Sequence, residues 1–246
     1  MNDGTLLEDV KRFYEILGKL ERRVSGRRIL AECSKHSGWP TRGVYFFMEH
    51  GEERSESGDG LRIVRVGTHS VKTGGSKTSL WNRLSQHKGS TSGLGNHRGS
   101  VFRLLVGRAL INKESIKCET WESKTTPSPR GVEQYVEIRV SETIGRMPFL
   151  WLEVDDAYDI EAGAKLRSYI ESNTITLLSN FCTNKSKIDA PSAGWLGYHC
   201  TDTKGNLNKK VRESGLWNQD HVDSDRYCPE FLDKLEELVE QMEVAQ

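Results

Sequence analysis

The stretch from Gly43 to Gly67, GVYFFMEHGEERSESGDGLRIVRVG, holds two β-forming runs separated by a polar segment. Gly43–Met48 is short, aromatic and β-branched, which predicts a strand. Leu61–Gly67 alternates apolar with basic residues and predicts a second strand, antiparallel to the first. Residues 49–60 between them have the composition of an exposed loop. Thr68–Ser79 is polar and Gly-rich, and Thr78 or Ser79 can cap a helix over 79–88 that Gly89 ends. Ser100 caps an apolar segment, VFRLLVGRALI, read as helix with strand as the alternative. Upstream, residues 5–24 carry Leu6, Val10, Phe13, Leu17, Leu20 and Val24 at helical spacing. Downstream come a Pro-containing loop at 112–130, a helix at 131–145, and a buried strand from Pro148 to Val154. One or two helices follow at 160–180, and an acidic helix at about 229–243. The order predicts an α+β fold, a small central antiparallel or mixed sheet flanked by helices. An N-terminal helical extension (1–40) and a C-terminal extension (181–246) then flank a domain at 41–180, with insertions at 49–60, 68–78 and 112–130.

The 246 residues carry 35 basic and 35 acidic side chains, so the net charge is zero. That balance hides a segregation. Between Gly60 and Lys113 there are ten Lys or Arg and no Asp or Glu. Such a window predicts a surface that meets an anion, and phosphate is the commonest such partner. Mean hydropathy is −0.61 and no apolar run approaches the roughly 20 residues that span a bilayer. With no basic-then-apolar leader and five scattered Cys, the expected setting is the cytoplasm, with no disulfide framework and no membrane. Gly74-Gly75-Ser76-Lys77-Thr78 lacks the Gly directly before Lys that a Walker loop needs, so it reads as a basic loop.

Chemistry-bearing residues recur at defined places on this frame. Tyr45 stands on the first strand and Arg65 on the second. Arg83 and His87 are four apart on the following helix and share a face. Glu171 lies on the helix after the last strand, with Asn173 and Asn180 following. The series Gly43-Val44-Tyr45, Arg65-Val66-Gly67, Arg83-x-x-x-His87 and Glu171-x-Asn173 resembles the GIY-YIG nucleases over about residues 41–180.

That resemblance implies a metal-dependent DNA endonuclease leaving 5′-phosphate and 3′-hydroxyl ends. Tyr45 would be the general base, Arg83 would stabilise the phosphate, His87 would relay a proton, and Glu171 would hold Mg²⁺ or Mn²⁺. Asn180 matches a downstream asparagine of the family, with Asn173 as its competitor. Arg65 occupies the place of the second motif's tyrosine, and Thr68 that of a lysine. His69 or Lys72 can substitute for what is missing, and the alternative is a weak or inactive nucleic-acid-binding module of the same fold. The expected partner is nucleic acid, double-stranded DNA in particular, gripped through Lys77, Lys88, His97, Arg98 and Arg103.

The roles are also physically coherent without the family. Phosphodiester hydrolysis needs a base for water, positive charge on the phosphate and help for the leaving oxygen. A phenol becomes a plausible base only where cations surround it. One carboxylate suffices for a Mg²⁺ that keeps its waters.

Overall fold

The computed structural model describes residues 3–69, 78–90, 92–156, 159–181 and 187–244. Its one sheet is antiparallel, with strands β1 (Arg28–Ile29), β2 (Gly43–Glu53), β3 (Leu61–Thr68) and β4 (Pro148–Glu153) in the spatial order β1-β4-β2-β3. The hairpin expected from the sequence is β2–β3, with Tyr45 opposite Gly67 and Phe47 opposite Arg65. The fold is α+β, as the order of elements implies. Seven α-helices surround the sheet among the described residues: α1 (Asp3–Arg23), α2 (Leu80–Lys88), α3 (Val101–Lys113), α4 (Gly131–Gly145), α5 (Ile160–Leu178), α6 (Lys209–Ser214) and α7 (Phe231–Gln241).

Both faces of β2 are covered, and Val44, Tyr45, Phe46 and Phe47 have no exposed surface. Alternation sends them to opposite sides. Phe46 meets Phe13 of α1 edge-on at 6.0 Å. Phe47 meets Phe102 of α3 at 5.5 Å and stacks on Phe149 of β4 at 4.9 Å. A single hydrophobic cluster runs from Leu6 to Val239, so the first and last helices belong to the same core. Helix α7 sits on α1, where Arg12 pairs with Asp233 at 2.7 Å and Glu236 at 2.9 Å.

The structure departs from the sequence reading in a few elements. β2 runs on to Glu53, so the expected loop at 49–60 is shorter. Its polar residues are satisfied by the C-terminal segment: Glu49 accepts from the indoles of Trp195 and Trp217, and Glu52 binds Arg62 and Ser192. Residues 160–178 form one helix. The segment after Ser100 is helix, with its Oγ accepting the Arg103 N–H. β1 and α6 were not anticipated, being two and six residues long.

The outer edge of β3 does not face water. Trp217 N–H donates to Val64 O at 2.7 Å. Asn218 bonds both backbone groups of Val66, accepting from N–H at 3.2 Å and donating to the carbonyl at 2.9 Å. Thr68 N–H donates to Glu171 Oε1 at 3.1 Å. An edge strand left open is a template for aggregation, and these backbone and side-chain groups close it. No helix of the described residues is long and apolar enough to cross a membrane.

Candidate active site

Two glycines shape the hairpin around Tyr45. A Cβ at Gly43 would lie 2.3 Å from the Leu152 carbonyl oxygen, so only glycine lets β2 and β4 approach this closely. A Cβ at Gly67 would lie 2.2 Å from the Tyr45 hydroxyl. The phenol ring therefore lies flat over its cross-strand partner, and its oxygen sits one residue from Thr68.

That oxygen is 2.8 Å from His87 Nε2, and His87 Nδ1 is 2.8 Å from Ser100 Oγ. The imidazole is fully buried. Burial first, then the positive charges of Arg83, Arg65 and Arg103, hold its pKa well below the ordinary value. His87 is thus neutral, with one ring nitrogen free to accept.

Beside this pair opens a cleft of about 280 Å³, lined by Arg65, Thr68, Arg83, Glu171, Asp220 and His221 among others. Among the described residues Arg83, one helical turn before His87, bonds neutral groups, Gln86 Oε1 and the Gly99 carbonyl, both at 3.0 Å. Burial raises the pKa of Glu171, against the lowering effect of Arg65 and of the Thr68 N–H. The structure thus gathers Tyr45, Arg65, Arg83, His87 and Glu171 from four separate elements. Tyr45 itself has no exposed surface and does not line the cleft; it lies under Gly67, next to the cleft residue Thr68.

Other sequence candidates lie elsewhere. Asn180 is nine residues beyond Glu171, about 13 Å along a helical rise, and past the end of α5. Its amide clasps both backbone groups of Ile188 at 2.9 Å. Asn173 is about 200° round the helix from Glu171 and accepts from Cys228 N–H at 2.7 Å. Neither reaches the cleft. His69 is buried, and burial followed by the charges of Arg167 and Arg42 brings it down to about 4. Lys72 and Lys77 lie outside the described residues.

The expected backbone grips are turned inward. Lys88 donates to the carbonyls of Ala31 and Cys33 at 2.7 and 2.6 Å. Arg98 pairs with Glu133 at 2.7 Å, Arg103 with Glu137 at 2.5 Å, and His97 with Glu137 at 2.9 Å. Arg62 and Arg108 likewise pair with Glu52 and Glu122. Much of the acid-free window is therefore neutralised by carboxylates from other parts of the chain. The residues that sequence reasoning missed are Asn218 and Asp220, which follow the buried Trp217. The only signal there was a polar cluster, Asn218-Gln219-Asp220-His221, of no recognisable spacing.

Two places gather candidate metal ligands. His97, Glu133 and Glu137 bring ligand atoms together. Their carboxylates are already bound by Arg98, Arg103 and Arg130, so the cluster is a set of ion pairs that leaves no position for a cation. Glu171 fits better. Its Oε1 accepts one backbone N–H, its Oε2 has no hydrogen bond among the described residues, and it lines a cleft roomy enough for water. One hard carboxylate in such a setting suits Mg²⁺, which retains several waters.

A family model described as a GIY-YIG domain matches residues 5–245 of this chain. No curated protein and no solved structure matches it.

Proposed function

The chain belongs to the GIY-YIG domain family, whose members are nucleases, and on that premise we propose that it is a divalent-metal-dependent endonuclease hydrolysing phosphodiester bonds in double-stranded DNA. The observation that carries this reading is the convergence of Arg65, Arg83 and Glu171 on one cleft, with the hydrogen-bonded Tyr45–His87 pair beside it: Tyr45 lies opposite Gly67, the neighbour of the cleft residue Thr68, and His87 is on the helix that carries Arg83.

In this reading Tyr45 is the base. With His87 Nδ1–H donating to Ser100 Oγ, Nε2 accepts the phenol proton, and the phenol oxygen can then take one from the attacking water. The low pKa leaves His87 neutral in the free chain, and the negative charge of an entering phosphate would offset the burial and the arginines that otherwise disfavour its imidazolium. Tyr45 is covered in the free chain, so the entering polyanion must open the contact above it. Arg83 offers a planar fork to two phosphate oxygens. Glu171 would hold a Mg²⁺ ion, which when bound supplies positive charge at the scissile phosphate. Burial of the Tyr45 hydroxyl favours a second reading, a binding module with weak or no cleavage.

Supercoiled plasmid with Mg²⁺ or Mn²⁺ separates the two. The nuclease reading expects nicking by the wild type, and a loss of at least about 100-fold in Glu171→Ala and Tyr45→Phe, with duplex binding retained. Equal nicking by all three would sink it. No nicking with any divalent ion, beside salt-sensitive binding, would establish the module.

A further inference from the structure

Six arginines of the described residues are buried: Arg42, Arg62, Arg65, Arg103, Arg108 and Arg167. Five of them have a carboxylate within 3.0 Å, namely Asp156, Glu52, Glu137, Glu122 and again Asp156. Arg65 is the exception. It is 7% exposed, and among the described residues its one hydrogen bond runs from Nη1 to the Trp217 carbonyl at 2.5 Å. Its Nε is buried with no partner, and its guanidinium lies 5.6 Å over the Phe102 ring. Among the described residues the other buried guanidiniums hold salt bridges and this one does not; the carboxylate whose field it shares is Glu171, which lines the same cleft. A buried charge of this kind is costly unless something pairs with it.

We propose that Arg65 is a second phosphate-binding residue, which closes with Arg83 on the scissile phosphate as a two-guanidinium clamp. This rests on the nuclease reading and specifies how that site takes its substrate. Arg65 comes from β3 and Arg83 from α2, and among the described residues neither holds a salt bridge. Glu171 shares the cleft, but its Oε1 is turned to the Thr68 N–H. Asp220 lines the same cleft. Two guanidiniums together with carboxylates is the polarity of a site that takes a phosphate along with a divalent cation. The Trp217 carbonyl orients the Arg65 fork, so the C-terminal segment positions a group that touches substrate. Arg65 is then no lapse from the family's tyrosine; it does different work at that position.

The decisive variant restores the family residue, Arg65→Tyr, beside Arg65→Lys and the neutral Arg65→Gln. Nicking of supercoiled plasmid with Mg²⁺ is one readout. The other is binding of a 20-base-pair duplex in a Glu171→Ala background, followed as log Kd against log salt concentration. The clamp expects Arg65→Tyr and Arg65→Gln to lose about 100-fold or more in nicking. Both should also reduce the salt slope by about one. Arg65→Lys keeps the charge without the fork, so it keeps the slope while nicking falls. Cooperative melting checks that each variant folds, and Arg65→Gln stands in if the tyrosine does not fit. Nicking by Arg65→Tyr at or above the wild-type rate, with an unchanged slope, overturns the clamp while leaving the nuclease reading intact. If the wild type does not nick at all, the nuclease reading fails, and the salt slope alone still decides whether Arg65 meets a phosphate.

Discussion

His87 has a hydroxyl at 2.8 Å from each ring nitrogen, Tyr45 on one side and Ser100 on the other, and no room for solvent. This arrangement has a consequence for stability. The folded chain holds the imidazole pKa well below its ordinary value of 6.5, while the unfolded chain does not. Below that value the unfolded state takes up a proton that the folded state refuses, so the contribution is complete above pH 6.5 and is lost as pH falls. His69, brought down to about 4, acts in the same direction. Glu171 and Glu49, raised by burial, act oppositely just above the ordinary carboxylate range. Calorimetry should therefore show the melting temperature dropping by several degrees from pH 7.5 to 5.5. His87→Gln should flatten that dependence, and a variant curve parallel to the wild type would contradict a buried neutral imidazole. The motif residues Tyr45, Arg83, His87 and Glu171 were legible through their resemblance in order to the GIY-YIG motifs, with helix periodicity adding only that Arg83 and His87 share a face. The full burial of Tyr45 was not, since nothing in its neighbourhood along the chain says what will cover it.

β3 owes its place to residues 150 positions away. Asn218 bonds Val66 on both its backbone groups and is itself 3% exposed. Asn218→Ala leaves a buried backbone donor and acceptor without partners, which costs about 1–3 kcal/mol. Urea denaturation should show the midpoint falling accordingly with the slope unchanged, and nicking should fall further than the stability loss explains, because Arg65 leans on the adjoining Trp217 carbonyl. A midpoint within error of the wild type would mean that solvent replaces the amide. At this scale the sequence was informative where signals are local: the caps Ser79 and Ser100, the alternation of Leu61–Gly67, the apolar run of β4. It was silent on the end of β2, because Glu49 and Glu52 read as loop until Trp195, Trp217, Arg62 and Ser192 are seen to satisfy them.

Charge across the whole molecule is arranged differently from charge along the chain. The acid-free window looks like an open cationic face, yet Arg62, Arg98, Arg103 and Arg108 find Glu52, Glu133, Glu137 and Glu122. Those carboxylates flank the window in sequence and fold back over it, so composition could not reveal the pairing. Glu137 and Arg103 are both fully buried. Glu137→Ala strands the guanidinium and should cost about 3–5 kcal/mol, whereas replacing both by Met should recover most of that loss. Denaturation of the single and double variants measures the difference, and a single-variant cost below about 1 kcal/mol would show that water reaches the pair.

The order in which the cleft's parts leave the ribosome now matters. Tyr45, Arg83 and Glu171 emerge well before Trp217 and Asn218, which orient Arg65 and close the sheet. A nascent chain carries its chemical groups early yet cannot arm them until the later segment docks. In the nuclease reading, cutting of nearby nucleic acid therefore waits until Trp217 and Asn218 have been made and docked.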